Sequence, residues 1–128
     1  MKNSITTLLL LLPGLIHLLP VTGVLGATRL AALYGVAIAE PNLLIMMQHR
    51  AVLLGILGIF LMVAAFRSSL QIPAIIAGLI STVSFLVIAI WSGGYNESLQ
   101  RVLIADVIAI ACLLGAAIVL SVKKSKPF

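Results

Sequence analysis

Acidic residues are nearly missing from this chain. There are three in 128 positions, and charged residues of both signs make up 9%. A soluble domain carries about 25% charged residues. So few charges cannot coat a water-facing surface, which excludes an ordinary soluble fold. Cysteine is scarcer still, with Cys112 alone. One cysteine closes no internal disulfide, and neither CxxC nor Cys/His metal spacing occurs. Cys112 reads as a small packing residue. Aromatic residues reach 5% and do not interleave with a basic stripe, so nucleic acid is not an expected partner. No Gly-rich phosphate loop follows a strand pattern.

What the chain has is apolar length. Hydrophobic residues make up 62%, and the mean hydropathy is +1.29. Four apolar stretches run over about 4–22, 43–66, 70–91 and 98–122. Each approaches the roughly 20 residues that cross a bilayer as a helix. A spanning segment must satisfy its own backbone, which predicts helices. The fold class expected is all-α: a polytopic membrane protein built as an antiparallel four-helix bundle, in a single domain over 1–128. The first stretch has the look of a signal peptide, with Lys2 ahead of a leucine run. Cleavage would discard His17 and leave three spans, so it is read as an uncleaved helix.

Between the first two spans, ATRLAALY (27–34) places Leu30, Leu33 and Tyr34 at helical spacing. A short interfacial helix is expected there, ended by Gly35. Gly14 and Pro13 suggest a kink in the first span. Gly55, Gly58, Gly78 and Gly115 are small positions that let helices approach closely in lipid. Lys2, Arg67, Lys123, Lys124 and Lys126 fall on the side that carries both termini. Arg29 and Arg101 on the other side are offset by Glu40 and Glu97. The positive-inside rule then predicts cytoplasmic termini in a bacterial inner membrane.

Two charges break the apolar pattern. Arg50 lies about 10 Å beyond Leu43 along the second span, and Asp106 about 12 Å beyond Ser98 along the fourth. A charge in hydrocarbon costs roughly 2.5–3.5 kcal/mol on insertion scales, so it normally faces the bundle interior and has a partner. An ion pair between the two is expected. It is either a structural lock between helices or the polar floor of a binding site. His17 and His49 fall at the same depth, and Glu40, Gln48, Tyr95, Asn96, Glu97 and Arg101 can form a rim. His49 and His17 are the candidate general acid/base residues. The candidate ligand-binding set is His17, His49, Arg50, Asp106, Glu40, Tyr95 and Asn96. A metal site from His17, His49 and Asp106 lacks any i, i+4 ligand motif, so no metal or cofactor is expected. Glu97 and Arg101, at i, i+4, read as a helix-surface ion pair. Ser81, Thr82 and Ser84 read as side chains bonded to backbone.

The segments HLLP (17–20), RLAALYG (29–35), QHRA (48–51), SGGYN (92–96) and AD (105–106) together resemble a family of small bacterial four-helix membrane proteins, distantly similar to DoxX-like proteins. Members are often labelled phosphopantetheine adenylyltransferase. The soluble enzyme of that name carries an HxGH motif on a nucleotide-binding α/β fold. This chain has no HxGH, and the resemblance implies a fold and no activity. The function expected is binding of a small amphiphile, such as a lipid or quinone, in a polar pocket of the outer leaflet. A membrane enzyme acting on such a molecule, a small transporter and an accessory subunit of a membrane complex are the alternatives. Membrane lipids are expected partners, and assembly of several copies stays open.

Overall fold

A computed structural model describes residues 4–125. Lys2 and Lys126 lie outside the described residues. The described chain is α-helical, and four of its helical segments are long and apolar enough to cross a membrane. The protein is a multi-pass membrane protein. Its first span joins α1 (Ser4–Leu18) to a 3₁₀ helix (Leu19–Leu25). The short α2 (Ala27–Tyr34) follows. The other spans are α3 (Pro41–Phe66), α4 (Ser68–Ser92) and α5 (Glu97–Ser125).

The four spans pack in a square. α1 and α4 each lie against both α3 and α5. Short connections force this order, since Arg67 alone joins α3 to α4 and four residues join α4 to α5. Each neighbour in space is therefore antiparallel. One end of the bundle carries the described termini and is called the terminal face below; the other carries α2. Large apolar side chains cover the outside, such as Leu8, Ile56 and Ile88, as lipid requires.

Glycine sets the closest approach. A Cβ on Gly58 would lie 2.8 Å from the Gly14 carbonyl oxygen, and one on Gly14 would lie 3.0 Å from the Gly58 carbonyl. The α1 and α3 backbones therefore touch, as small residues at membrane helix crossings allow. The sequence read Gly14 as a kink; the structure makes it one half of this crossing. Near the terminal face, Leu10, Leu61 and Leu113 are fully buried and form the main core with Ala64, Ala74 and Ala116.

The α2 end is built differently. Pro20 has no N–H to offer the Ile16 carbonyl, and the α1 helix tightens into the 3₁₀ segment over that stretch. α2 then folds back over the bundle, burying Leu30 and Tyr34 with Ile38 in a second cluster. Gly35 ends α2 in the left-handed conformation, with φ 67°. Asn96 clamps this end, donating from Nδ2 to the Tyr34 carbonyl at 2.9 Å, while its Oδ1 accepts from the Leu99 N–H at the start of α5.

Glu40 caps α3. Its carboxylate accepts from the N–H groups of Asn42 and Leu43, and these bonds hold its carboxyl below the usual carboxylate range. The cap therefore contributes stability above that range and loses it as pH falls through the lowered value.

Candidate functional site

The chain leaves an internal space where α1 tightens and α2 roofs the bundle. The cavity measures about 320 Å³. α1 and the 3₁₀ segment contribute Ile16, His17, Leu19 and Pro20. Leu33 and Tyr34 come from α2, Arg50 and Leu54 from α3, and Ser81 and Phe85 from α4. α5 adds Ser98, Arg101, Val102, Ala105 and Asp106.

Depth follows from the helical rise. Arg50 is nine residues beyond Pro41 and Asp106 nine beyond Glu97, so each sits about 13 Å from its helix start. Arg101 is exposed and about 7.5 Å nearer the α2 end than Asp106. The cavity thus has a guanidinium near its mouth and a second one, with a carboxylate, deeper in. Apolar walls from Leu19, Leu33, Leu54 and Val102 flank them.

Arg50 is held by groups that its sequence neighbourhood does not advertise. Its Nη1 donates to the Tyr34 hydroxyl. Its guanidinium carbon lies 5.3 Å from the Tyr34 ring centroid and 5.1 Å from that of Phe85. Both distances suit cation–π attraction, which is worth more in a desolvated site. The expected ion pair with Asp106 does not form. Both residues line the cavity, yet among the described residues no ion pair joins them. A guanidinium has five N–H donors, so Arg50 keeps donors beyond the one Tyr34 takes.

His17 is buried in the cavity wall, at 3% exposure, with Nδ1 2.8 Å from the Pro13 carbonyl oxygen. A carbonyl only accepts, so Nδ1 carries the hydrogen. In the neutral ring that leaves Nε2 as the acceptor atom.

The remaining sequence candidates separate from this group. His49 is exposed on the outer surface of α3 and is absent from the cavity wall. Adjacent helical residues differ by about 100° in direction, and Arg50 took the inward one. Glu40 is the α3 cap, and Asn96 is the α2 clamp. Tyr95 is 47% exposed. Gln48 donates to the Val24 carbonyl at 3.0 Å and ties the 3₁₀ segment to α3. Arg101 lines the cavity, and no ion pair with Glu97 forms among the described residues. Thr82 and Ser84 do bond to backbone, to the Gly78 and Ser81 carbonyls. Tyr34, Phe85, Ser81 and Ser98 were not anticipated as site residues. His17 and Asp106 share the wall without His49, and no three His, Cys, Asp or Glu side chains converge among the described residues.

Comparison with known proteins gives no match to this chain among family models, curated proteins or solved structures.

Proposed function

We propose that the protein binds a small amphiphile with an anionic head in the cavity beneath α2. One observation carries this reading: two guanidiniums, a carboxylate, an imidazole and three hydroxyls line a single cavity whose remaining walls are apolar. Arg50 supports it further, because Tyr34 and Phe85 hold its guanidinium in place while donors stay available to a ligand. Arg50, Arg101 and Asp106 leave the wall with one net positive charge, which suits an anion.

The alternatives draw less from the same geometry. An enzymatic role would rest on His17, with Nε2 as its acceptor, since His49 stands apart. Transport would need a route through the Leu10, Leu61 and Leu113 layer, about two helical turns beyond His17, Leu54 and Asp106.

The test is native mass spectrometry of gently solubilised protein. Ala105 lines the cavity, and Ala105→Phe fills space without removing a polar group. A discrete bound mass should accompany wild type and His49→Ala and be lost from Ala105→Phe. Bare wild-type protein, or a bound mass untouched by Ala105→Phe, would end this reading.

The cavity end belongs to the outer leaflet of a bacterial inner membrane, with both termini cytoplasmic. The support is the side-to-side excess of lysine and arginine. Gly94 sits in the α4–α5 turn, where an added Cβ meets nothing within 4 Å. Gly94→Cys should react with a membrane-impermeant thiol reagent in whole cells. Labelling only after lysis would reverse the orientation.

A further inference from the structure

The cavity's charges are arranged in depth, and that order constrains the ligand. Arg101 sits near the mouth on α5; Asp106 lies about 7.5 Å further in on the same helix. Arg50 reaches the same depth from α3. Asp106 has no protein cation in ion-pair contact among the described residues; Arg50 gives one donor to Tyr34 and lies near two aromatic rings. An ionised carboxylate accepts hydrogen bonds and donates none. Asp106 is half-buried and faces the cavity, so an occupant's hydroxyl is placed to donate to it. Arg50, at that depth, keeps donors beyond the one Tyr34 takes. One turn beyond both, Leu54 offers apolar wall, while Phe85 lies level with Arg50.

Read from mouth to floor, the site calls for an anion, then a hydroxyl beside an acceptor oxygen, then an apolar chain. The volume, about 320 Å³, is at the lower end of small-molecule pockets. That suits one chain better than two.

We infer that the ligand is a single-chain amphiphile bearing a phosphate-type anion and, a few bonds deeper, a free hydroxyl next to an ester or amide carbonyl. Arg101 takes the anion, Asp106 accepts from the hydroxyl, and Arg50 donates to the carbonyl. A monoacyl glycerophospholipid has this order of groups; a diacyl one lacks the hydroxyl and adds a chain. This inference rests on the amphiphile-binding reading above.

The probe is lysophosphatidylglycerol with a 16-carbon chain, titrated by native mass spectrometry against protein in an uncharged maltoside detergent. Its analogue without the glycerol 2-hydroxyl, the diacyl lipid and the soluble glycerophosphoglycerol head are titrated in parallel. Wild type should bind the lysolipid roughly tenfold more tightly than the deoxy analogue, the scale of one hydrogen bond to a charged group. The diacyl lipid should bind more weakly than the lysolipid. Asp106→Leu should erase the hydroxyl preference, and Arg101→Gln should weaken lysolipid and analogue together. His49→Ala should change none of these values. Equal binding of lysolipid and analogue, or a preference that survives Asp106→Leu, overturns the inference. If both probes bind equally and Ala105→Phe weakens both, the binding site stands and only the hydroxyl assignment falls. If Ala105→Phe leaves both unchanged, the cavity reading falls with it. Competition by the soluble head as strong as by the lysolipid would overturn the amphiphile itself.

Discussion

Gly58→Leu is expected to abolish the folded bundle. The first added atom alone would lie 2.8 Å from the Gly14 carbonyl oxygen and 3.0 Å from Leu18 Cγ. A carbonyl oxygen inside a helix cannot rotate away, so α1 as a whole must move. Extra methylenes forced into a packed interior cost about 1–3 kcal/mol, occasionally more. Here the obstacle is backbone and three further carbons follow the first, so the cost should exceed that range. Folded proteins have only about 5–15 kcal/mol of net stability. Gly115→Ala is the matched control. Its Cβ would meet only Leu9 side-chain atoms, at 3.5 and 3.8 Å, which is ordinary contact. Alanine also favours a helix over glycine by up to about 1 kcal/mol. Gly115→Ala should therefore purify as a monodisperse species with an unchanged or slightly raised Tm. Gly58→Leu should aggregate on size exclusion or melt well below wild type. Indistinguishable melting of the two variants would mean that α1 and α3 do not touch at this crossing.

The crossing also shows which parts of the structure were readable in the sequence. The four spans were legible because hydropathy acts over some twenty residues and tolerates local noise. Their ends were less so: α3 starts at its cap, Glu40, and α5 runs on to Ser125. Arg50, Asp106 and His17, which line the cavity, were legible as inward-facing because charge and imidazole are costly at depth. His49 was misplaced for a definite reason. Depth follows from counting residues, but direction around a helix needs a polar and an apolar face. α3 is apolar nearly all round, so Arg50 and His49 looked equivalent. The Arg50–Asp106 pairing failed for a related reason. Opposite charges at one depth suggest a pair, whereas the actual partners, Tyr34 and Phe85, are aromatic residues that an apolar sequence hides. Gly55 and Gly58 were read correctly as close-packing positions, while Gly14 was not, because Pro13 beside it offered a ready account as a kink.

If the cavity holds an amphiphile as proposed, Arg50→Gln is expected to empty it while leaving the protein folded. Glutamine stays polar but is shorter, and it loses the charge and the cation–π contacts with two rings. Truncating one partner of a buried, hydrogen-bonded charge contact costs about 2–5 kcal/mol, or roughly 30-fold to a few thousand-fold in affinity. The occupied fraction in native mass spectra should fall below detection. Arg50→Lys separates charge from geometry. Lysine keeps the positive charge, but its ammonium is a strongly hydrated point charge without the planar fork. It cannot reproduce the guanidinium's fork, which donates to the Tyr34 hydroxyl while lying near the Tyr34 and Phe85 rings. Lysine should therefore recover only a minor part of the loss. Tyr34→Phe removes the hydroxyl that accepts from Arg50 and keeps the ring. If Arg50 acts mainly by fastening α2, Tyr34→Phe should reproduce most of the effect of Arg50→Gln. The expected order of retained ligand is wild type, then Tyr34→Phe, then Arg50→Lys, then Arg50→Gln. Equal loss in Tyr34→Phe and Arg50→Gln would reassign Arg50 from the ligand to the anchoring of α2. The double change Arg50→Leu/Asp106→Leu gives an independent check. A direct ion pair would make the double variant more stable than Arg50→Leu alone, because the stranded partner would be gone. With Arg50 held by Tyr34 and Phe85 instead, removing Asp106 as well should not bring back the Tm lost in Arg50→Leu.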